Sequence, residues 1–216
     1  MTSAQSAFPA VPKDCRACPR LAAFRDANRS GYPDFFNAPV PAFSDHPAAV
    51  KLLIVGLAPG LKGANRTGRP FTGDWAGDLL YPTLIRHGWA KGTYGLSADD
   101  GLELVEARIT NAVRCVPPEN KPVGAEINAC NTFLGDEIAG LPALSQIVAL
   151  GGIAHGAVLK ALGMKKSAFK FAHGAQHDLE NGLRLTDSYH CSRYNTNTGR
   201  LTEAMFDAVF ESLRDA

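Results

Sequence analysis

No run in this sequence approaches the roughly 18 consecutive apolar residues of a membrane-spanning helix, so no membrane partner is expected. Its first ten residues have neither the basic start nor the apolar core of a secretory signal, and a cytoplasmic location is expected. Charge of one sign is lacking as well: 22 Lys and Arg stand against 21 Asp and Glu, for a formal net charge of +1. That balance neither demands nor excludes nucleic acid, because binding needs a local basic face rather than a global excess. Internal repeats and low-complexity tracts are missing, and so are a G-x-G-x-x-G fingerprint and the Gly-Lys-Ser/Thr ending of a P-loop. What remains is 216 residues, 45% hydrophobic and 20% charged, enough for a single domain spanning 1–216 with a sizeable core. Residues 1–12 read as loose and flexible.

The most telling stretch that is present runs from Gly56 to Asp74. It follows the apolar run Leu52-Leu53-Ile54-Val55, which reads as a buried strand, and leads into a helix. Five glycines, Gly56, Gly60, Gly63, Gly68 and Gly73, let the backbone approach a ligand closely. Arg66 and Arg69 suit phosphate contacts, and the ring of Phe71 can hold a flat base by stacking. A second such loop, residues 188–202, follows a later strand and carries His190, Ser192, Arg193, Tyr194 and Arg200.

Five cysteines in a cytoplasmic chain point to metal or catalysis before disulfides. Cys15 and Cys18 form a close pair, whereas Cys115 and Cys130 are far apart for a structural zinc site. Iron–sulfur ligands are spaced more variably. By spacing alone, an iron–sulfur cluster, zinc and buried free thiols all remain open, with Cys191 the odd one out.

Apolar runs at 50–56, 107–115, 146–150 and 183–188 read as strands. They alternate with helices at 74–89, 124–139, 153–162 and 202–213, and a short basic helix is expected at 18–28. This alternation predicts an α/β fold, a three-layer α/β/α sandwich around a central, mainly parallel four-stranded sheet. Ligands of such sheets sit beyond the carboxyl ends of the strands, where both unusual loops begin.

Three blocks together resemble the motifs of the family 5 uracil-DNA glycosylases, the UDGb type. They are Gly56-Leu57-Ala58-Pro59-Gly60 with Asn65 to Asp74, then Thr110-Asn111-Ala112-Val113-Arg114-Cys115 continuing to Pro122, and His190 to Thr202. The resemblance also implies that Cys15, Cys18, Cys115 and Cys130 hold a [4Fe–4S] cluster of mainly architectural role. It implies an enzyme that flips uracil, and other deaminated bases such as hypoxanthine or xanthine, out of DNA. The enzyme then cuts the N-glycosidic bond, works as a monomer and leaves an abasic site for base excision repair.

Within that resemblance His190 donates to a carbonyl oxygen of the departing base, and Phe71, with Asn111, Gly56, Ala58 and Gly60, holds the base. Core packing for Phe71, and completion of a strand end for Asn111, are the competing readings. Ala58 stands where many relatives in the wider superfamily place a polar residue to handle water, so Asp74, helped by Asn120, is the substitute. Asp74 also stands where a helix N-cap belongs, which needs no chemistry. Arg66, Arg69, Ser192, Arg193, Tyr194 and Arg200 are expected on DNA. Cys191 and Tyr194 depart from the family pattern, which has proline and glutamine there. The competing function is an iron–sulfur protein that binds nucleic acid without glycosylase activity.

Overall fold

The structure, a computed structural model, describes residues 10–213. In chain order the elements are α1 (Pro19–Gly31), β1 (Phe43–Ser44), β2 (Leu52–Gly56), α2 (Ala64–Thr67) and α3 (Trp75–Arg86). Next come β3 (Ala90–Lys91), β4 (Glu103–Leu104), β5 (Ala107–Asn111), α4 (Gly124–Ala139), β6 (Gln146–Leu150) and α5 (Gly152–Ala161). The last are β7 (Gln176–Asp178), β8 (Arg184–Ser188), α6 (Arg193–Asn197) and α7 (Glu203–Glu211).

One sheet organises these elements, in the order β1-β5-β2-β6-β8-β7. The four expected strands form its parallel centre. The sheet nevertheless has six strands, because β1 and β7 add short antiparallel edges. Two or three residues carry no readable alternation, which is why the edges were not expected. A separate hairpin-like pair, β3 and β4, lies outside the sheet. Every residue of β2, β5 and β6 is buried, as a parallel sheet covered on both faces requires.

Strand β2 shows how the layers form. Leu52 and Ile54 face one core with Leu80 and Leu84 of α3 and Phe206 and Phe210 of α7. Leu53 and Val55 face the other with Leu134 of α4 and Val158 of α5. Alternate side chains point to opposite faces, so this single apolar run feeds two cores.

Register brings the functional loops together. Gly56 pairs with Asn111, and Leu150 with Ser188, so four parallel strands end along one edge. Of the segment 1–12, residues 1–9 lie outside the described residues. Residues 10–12 are anchored: Val11 lines the cysteine cavity and Pro12 accepts a 3.0 Å hydrogen bond from the Cys15 N–H.

Candidate active site

Beyond those strand ends lies a cleft of about 470 Å³, lined by Ala58, Gly60, Asp74, Asn120, Gly151 and His190 among others. It therefore gathers residues from all three sequence blocks and from the turn after β6. Asn120 reaches it from a tight turn, Pro118–Asn120, in which Glu119 and Asn120 both take left-handed backbone angles, φ 55° and 57°. Asparagine tolerates that region better than most residues.

Asp74 is the N-cap of α3: its Oδ1 accepts from the Ala76 N–H at 3.1 Å. Its other oxygen, Oδ2, lies over the backbone of the glycine-rich loop. A Cβ at Gly60 would come within 3.3 Å of Oδ2, and one at Gly63 would collide with the carboxylate. Burial raises the Asp74 pKa above the usual carboxylate range, although backbone N–H groups of Gly77 and Ala76 oppose the shift. Capping and a place in the cleft thus belong to one side chain.

His190 follows β8 into the same cleft. The residue is half-buried, yet its Nδ1 is out of reach of water and has no hydrogen-bond partner. Burial lowers its pKa to about 4, so the imidazole is neutral at pH 7. The Phe71 ring stacks against it, with centroids 5.8 Å apart. Phe71 and Asn111 are both buried behind the cleft rather than on its lining. A Cβ at Gly56 would strike the Asn111 Oδ1 and the Phe71 ring, so glycine is what lets the two meet there. Phe71 itself has φ 53°, an unusual angle for an aromatic residue.

At the rim, Ser192 caps α6 by accepting from the Asn195 N–H at 3.4 Å. The Arg193 guanidinium lies 5.4 Å above the Trp75 ring, and the Trp75 indole N–H donates to the Thr196 hydroxyl at 2.9 Å. Tyr194 is 72% exposed, Arg66 is exposed, and Arg200 stacks over Tyr189 at 4.5 Å. Arg69 requires a correction. It is buried, donates to both Asp100 oxygens at 2.8 and 2.6 Å, and lies over the Phe43 and Tyr81 rings. A guanidinium so occupied has no free face for a phosphate. Its role is to hold the loop.

Cys15, Cys18, Cys115 and Cys130 line one small cavity, walled by Leu21, Val113 and Phe133. Burial is the main reason the thiols of Cys18 and Cys130 are raised and that of Cys115 is pushed up to about 12. α1 is tied down beside the cavity by Arg20, which donates to both Glu126 oxygens at 2.8 Å. Cys191 lies apart, fully buried in the core.

Three features escaped sequence reasoning. The Gly151-Gly152 pair lines the cleft, and a glycine pair at a strand end was its available signal. Trp75, adjacent to Asp74, braces the rim. At the end of β8, buried Asp187 meets His155 Nδ1 at 2.7 Å and His177 Nε2 at 3.2 Å. These three side chains are close enough to gather round one metal ion, but the histidines already occupy both Asp187 oxygens. No local sequence pattern announces such a cluster.

The family model of the Uracil DNA glycosylase superfamily matches residues 43–214. The chain belongs to that superfamily. Within it, the chain is 46% identical to the type-5 uracil-DNA glycosylase of Thermus thermophilus, over 97% of each chain. It is 45% identical to that of Mycobacterium leprae, over 94% of this chain and 90% of the relative. The type-5 uracil-DNA glycosylase of Pyrobaculum aerophilum is 39% identical, over 94% and 89%. The family 5 resemblance of the three sequence blocks is therefore matched along nearly the whole chain, and the glycine-rich block of this chain supplies Leu57, Ala58, Gly60 and Asp74 to the cleft. Among the described residues, no helix is long and apolar enough to cross a membrane.

Proposed function

We propose that the protein is a monofunctional uracil-DNA glycosylase that acts as a monomer and folds as one domain. It turns uracil, and other deaminated bases such as hypoxanthine or xanthine, out of DNA and hydrolyses the N-glycosidic bond. The abasic site left behind enters base excision repair. The observation that carries this reading is the placement of Asp74 and His190 on one cleft at the strand ends.

Negative charge gathers on the departing base while the sugar becomes cationic. His190, held neutral, donates a hydrogen bond from a ring N–H to a base carbonyl oxygen as charge develops there. The Asp74 carboxylate, with one oxygen on the α3 cap, uses the other to orient water and to steady the sugar cation. Asn120 assists at the water. The base passes the cleft lining to reach Phe71, which stacks on it, and Asn111, which reads its edge, since an amide both donates and accepts. Ala58 and Gly60 leave room for the base beside the backbone, while Gly56 makes room for Phe71 and Asn111 behind it. Arg66, Ser192, Arg193 and Arg200 contact phosphates, and exposed Tyr194 fills the gap left in the stack.

Cys15, Cys18, Cys115 and Cys130 would hold a [4Fe–4S] cluster, which would cross-link the start of α1 to the β5–α4 connection and to α4 itself. A soft four-sulfur donor set in an apolar pocket suits that group.

The test is direct. The protein is incubated with duplexes bearing uracil, hypoxanthine or xanthine, and abasic sites are then cleaved with alkali. Strand breaks at the uracil position are expected. Retained binding without any break would leave an iron–sulfur nucleic-acid-binding protein in place of an enzyme.

A further inference from the structure

Arg25 is among the largest fully buried side chains of the protein, at 1% exposure. One of its nitrogens, Nη1, donates to the Cys15 carbonyl at 2.9 Å. Nε and Nη2 are buried without a hydrogen-bond partner. The nearest carboxylate oxygen is Asp26 Oδ1, 3.7 Å from Nε, too far for a hydrogen bond. That oxygen makes no hydrogen bond and also lies 3.6 Å from Arg29, while Asp26 Oδ2 is held by Arg16 at 2.5 Å, so this one carboxylate is shared among three arginines. A buried guanidinium with two unbonded nitrogens and only a distant, shared carboxylate has room for a further anion, because a poorly compensated buried charge is disfavoured.

The helix shows where that anion belongs. Cys18, Leu21, Ala22 and Arg25 recur at three- and four-residue spacing on one face of α1. Cys18, Leu21 and Ala22 line the cysteine cavity, and Arg25 reaches the backbone of Cys15, which also lines it. Four thiolates around an iron–sulfur core leave a net negative group, and nearby charge is one of the levers on its reduction potential.

We propose that Arg25 is the buried counter-ion of the iron–sulfur group held by the four cysteines. This rests on the cluster reading given above. Reduction makes the group more negative, so a fixed positive charge beside it favours the reduced form and raises the potential.

Arg25→Gln keeps a donor for the Cys15 carbonyl and removes the charge, whereas Arg25→Lys keeps the charge. Both are compared with the parent by iron analysis and by a mediated redox titration followed by visible absorbance and electron paramagnetic resonance. The expected result is a potential lowered in Arg25→Gln by at least about 59 mV, a tenfold shift in the one-electron equilibrium. Arg25→Lys should stay within threefold of the parent in the same equilibrium. If Arg25→Gln holds iron at the parent's potential, Arg25 is not the counter-ion, although the cluster stands. A tenfold drop in Arg25→Lys also overturns the proposal, since packing would then be the cause. Should Arg25→Gln not fold, the lysine variant alone decides. A parent protein without iron refutes the cluster reading and this inference with it.

Discussion

The ring of Phe71 stacks on the imidazole of His190, with centroids 5.8 Å apart and planes 30° apart. The contact joins the glycine-rich loop to the loop after β8, so the two aromatic members of the proposed base pocket position each other. The left-handed backbone of Phe71 is pinned where the Tyr94 hydroxyl donates to its carbonyl at 3.3 Å. Phe71→Ala should slow single-turnover cleavage of a uracil duplex about fivefold or more, since stacking on one base contributes about 1–3 kcal/mol. Unchanged cleavage in a folded variant would reduce Phe71 to core packing.

His190→Ala should lower the cleavage rate by roughly 10²-fold, the effect of losing one well-aimed donor. Duplex affinity should change much less, because phosphate contacts dominate binding. Single-turnover kinetics alongside a binding titration would separate the two effects.

The same histidine makes a pH prediction. Its native pKa is lowered to about 4, while an unfolded histidine titrates near 6.5. Between those values the unfolded chain takes up a proton that the native protein refuses, so stability falls as pH drops through this window. In His190→Gln that part of the acid loss should vanish, as read by denaturant melts at several pH values. Activity, in contrast, should fall on the acid side through Asp74, whose raised pKa lets it protonate above the usual carboxylate range.

Asp74→Asn retains a good capping side chain without the charge. Cleavage should collapse while the melting temperature hardly moves. Asp74→Ala should show the same collapse and also lose about 1 kcal/mol of stability, a typical cap loss. A fully active Asp74→Asn would shift the water-handling role to Asn120 or to the backbone of the Gly56 to Gly60 loop.

Arg69 and Arg66 should behave oppositely. Arg66→Ala should reduce the salt dependence of DNA binding by about one unit of slope and leave folding intact. Arg69→Ala should leave that slope alone but cost about 3 kcal/mol, because Asp100 loses its counter-charge and keeps only the Gly95 and Leu102 N–H groups. The Arg69 guanidinium holds the Asp100 carboxyl well below the usual range. That stabilisation is present above the unfolded carboxylate pKa and is lost as pH falls through the native one. Urea melts of both variants with salt-dependent binding curves would check the contrast.

Much of this was legible because the central strands serve two covered faces. The runs at 146–150 and 124–139 coincide with β6 and α4. Two expected elements misled in an instructive way. The expected strand at 107–115 ends at Asn111, since Val113 turns into the cysteine cavity and serves a different core. The helix expected to reach Trp89 stops at Arg86, and the left-handed turn at Gly88 swings Trp89 back into the core. Periodicity registers that such residues are buried without telling which core they enter. Arg69 was misjudged for a related reason: its partner Asp100 lies 31 residues away, and no local pattern links them. Asp74 illustrates the remaining limit. Cap and cleft place opposite demands on one residue in sequence, and only the separate fates of its two oxygens reconcile them.

The short strands β1 and β7 have a consequence for the behaviour of the chain in crowded solution. A parallel sheet left open at its margins offers a row of unpaired amide and carbonyl groups to any passing strand. Here the outermost rows are two and three residues long. One is followed after two residues by the turn Pro47–Ala49, and the other carries the exposed polar residues Gln176 and Asp178. Neither margin is long enough to template a neighbour, so the apolar centre is fenced off from backbone-driven aggregation.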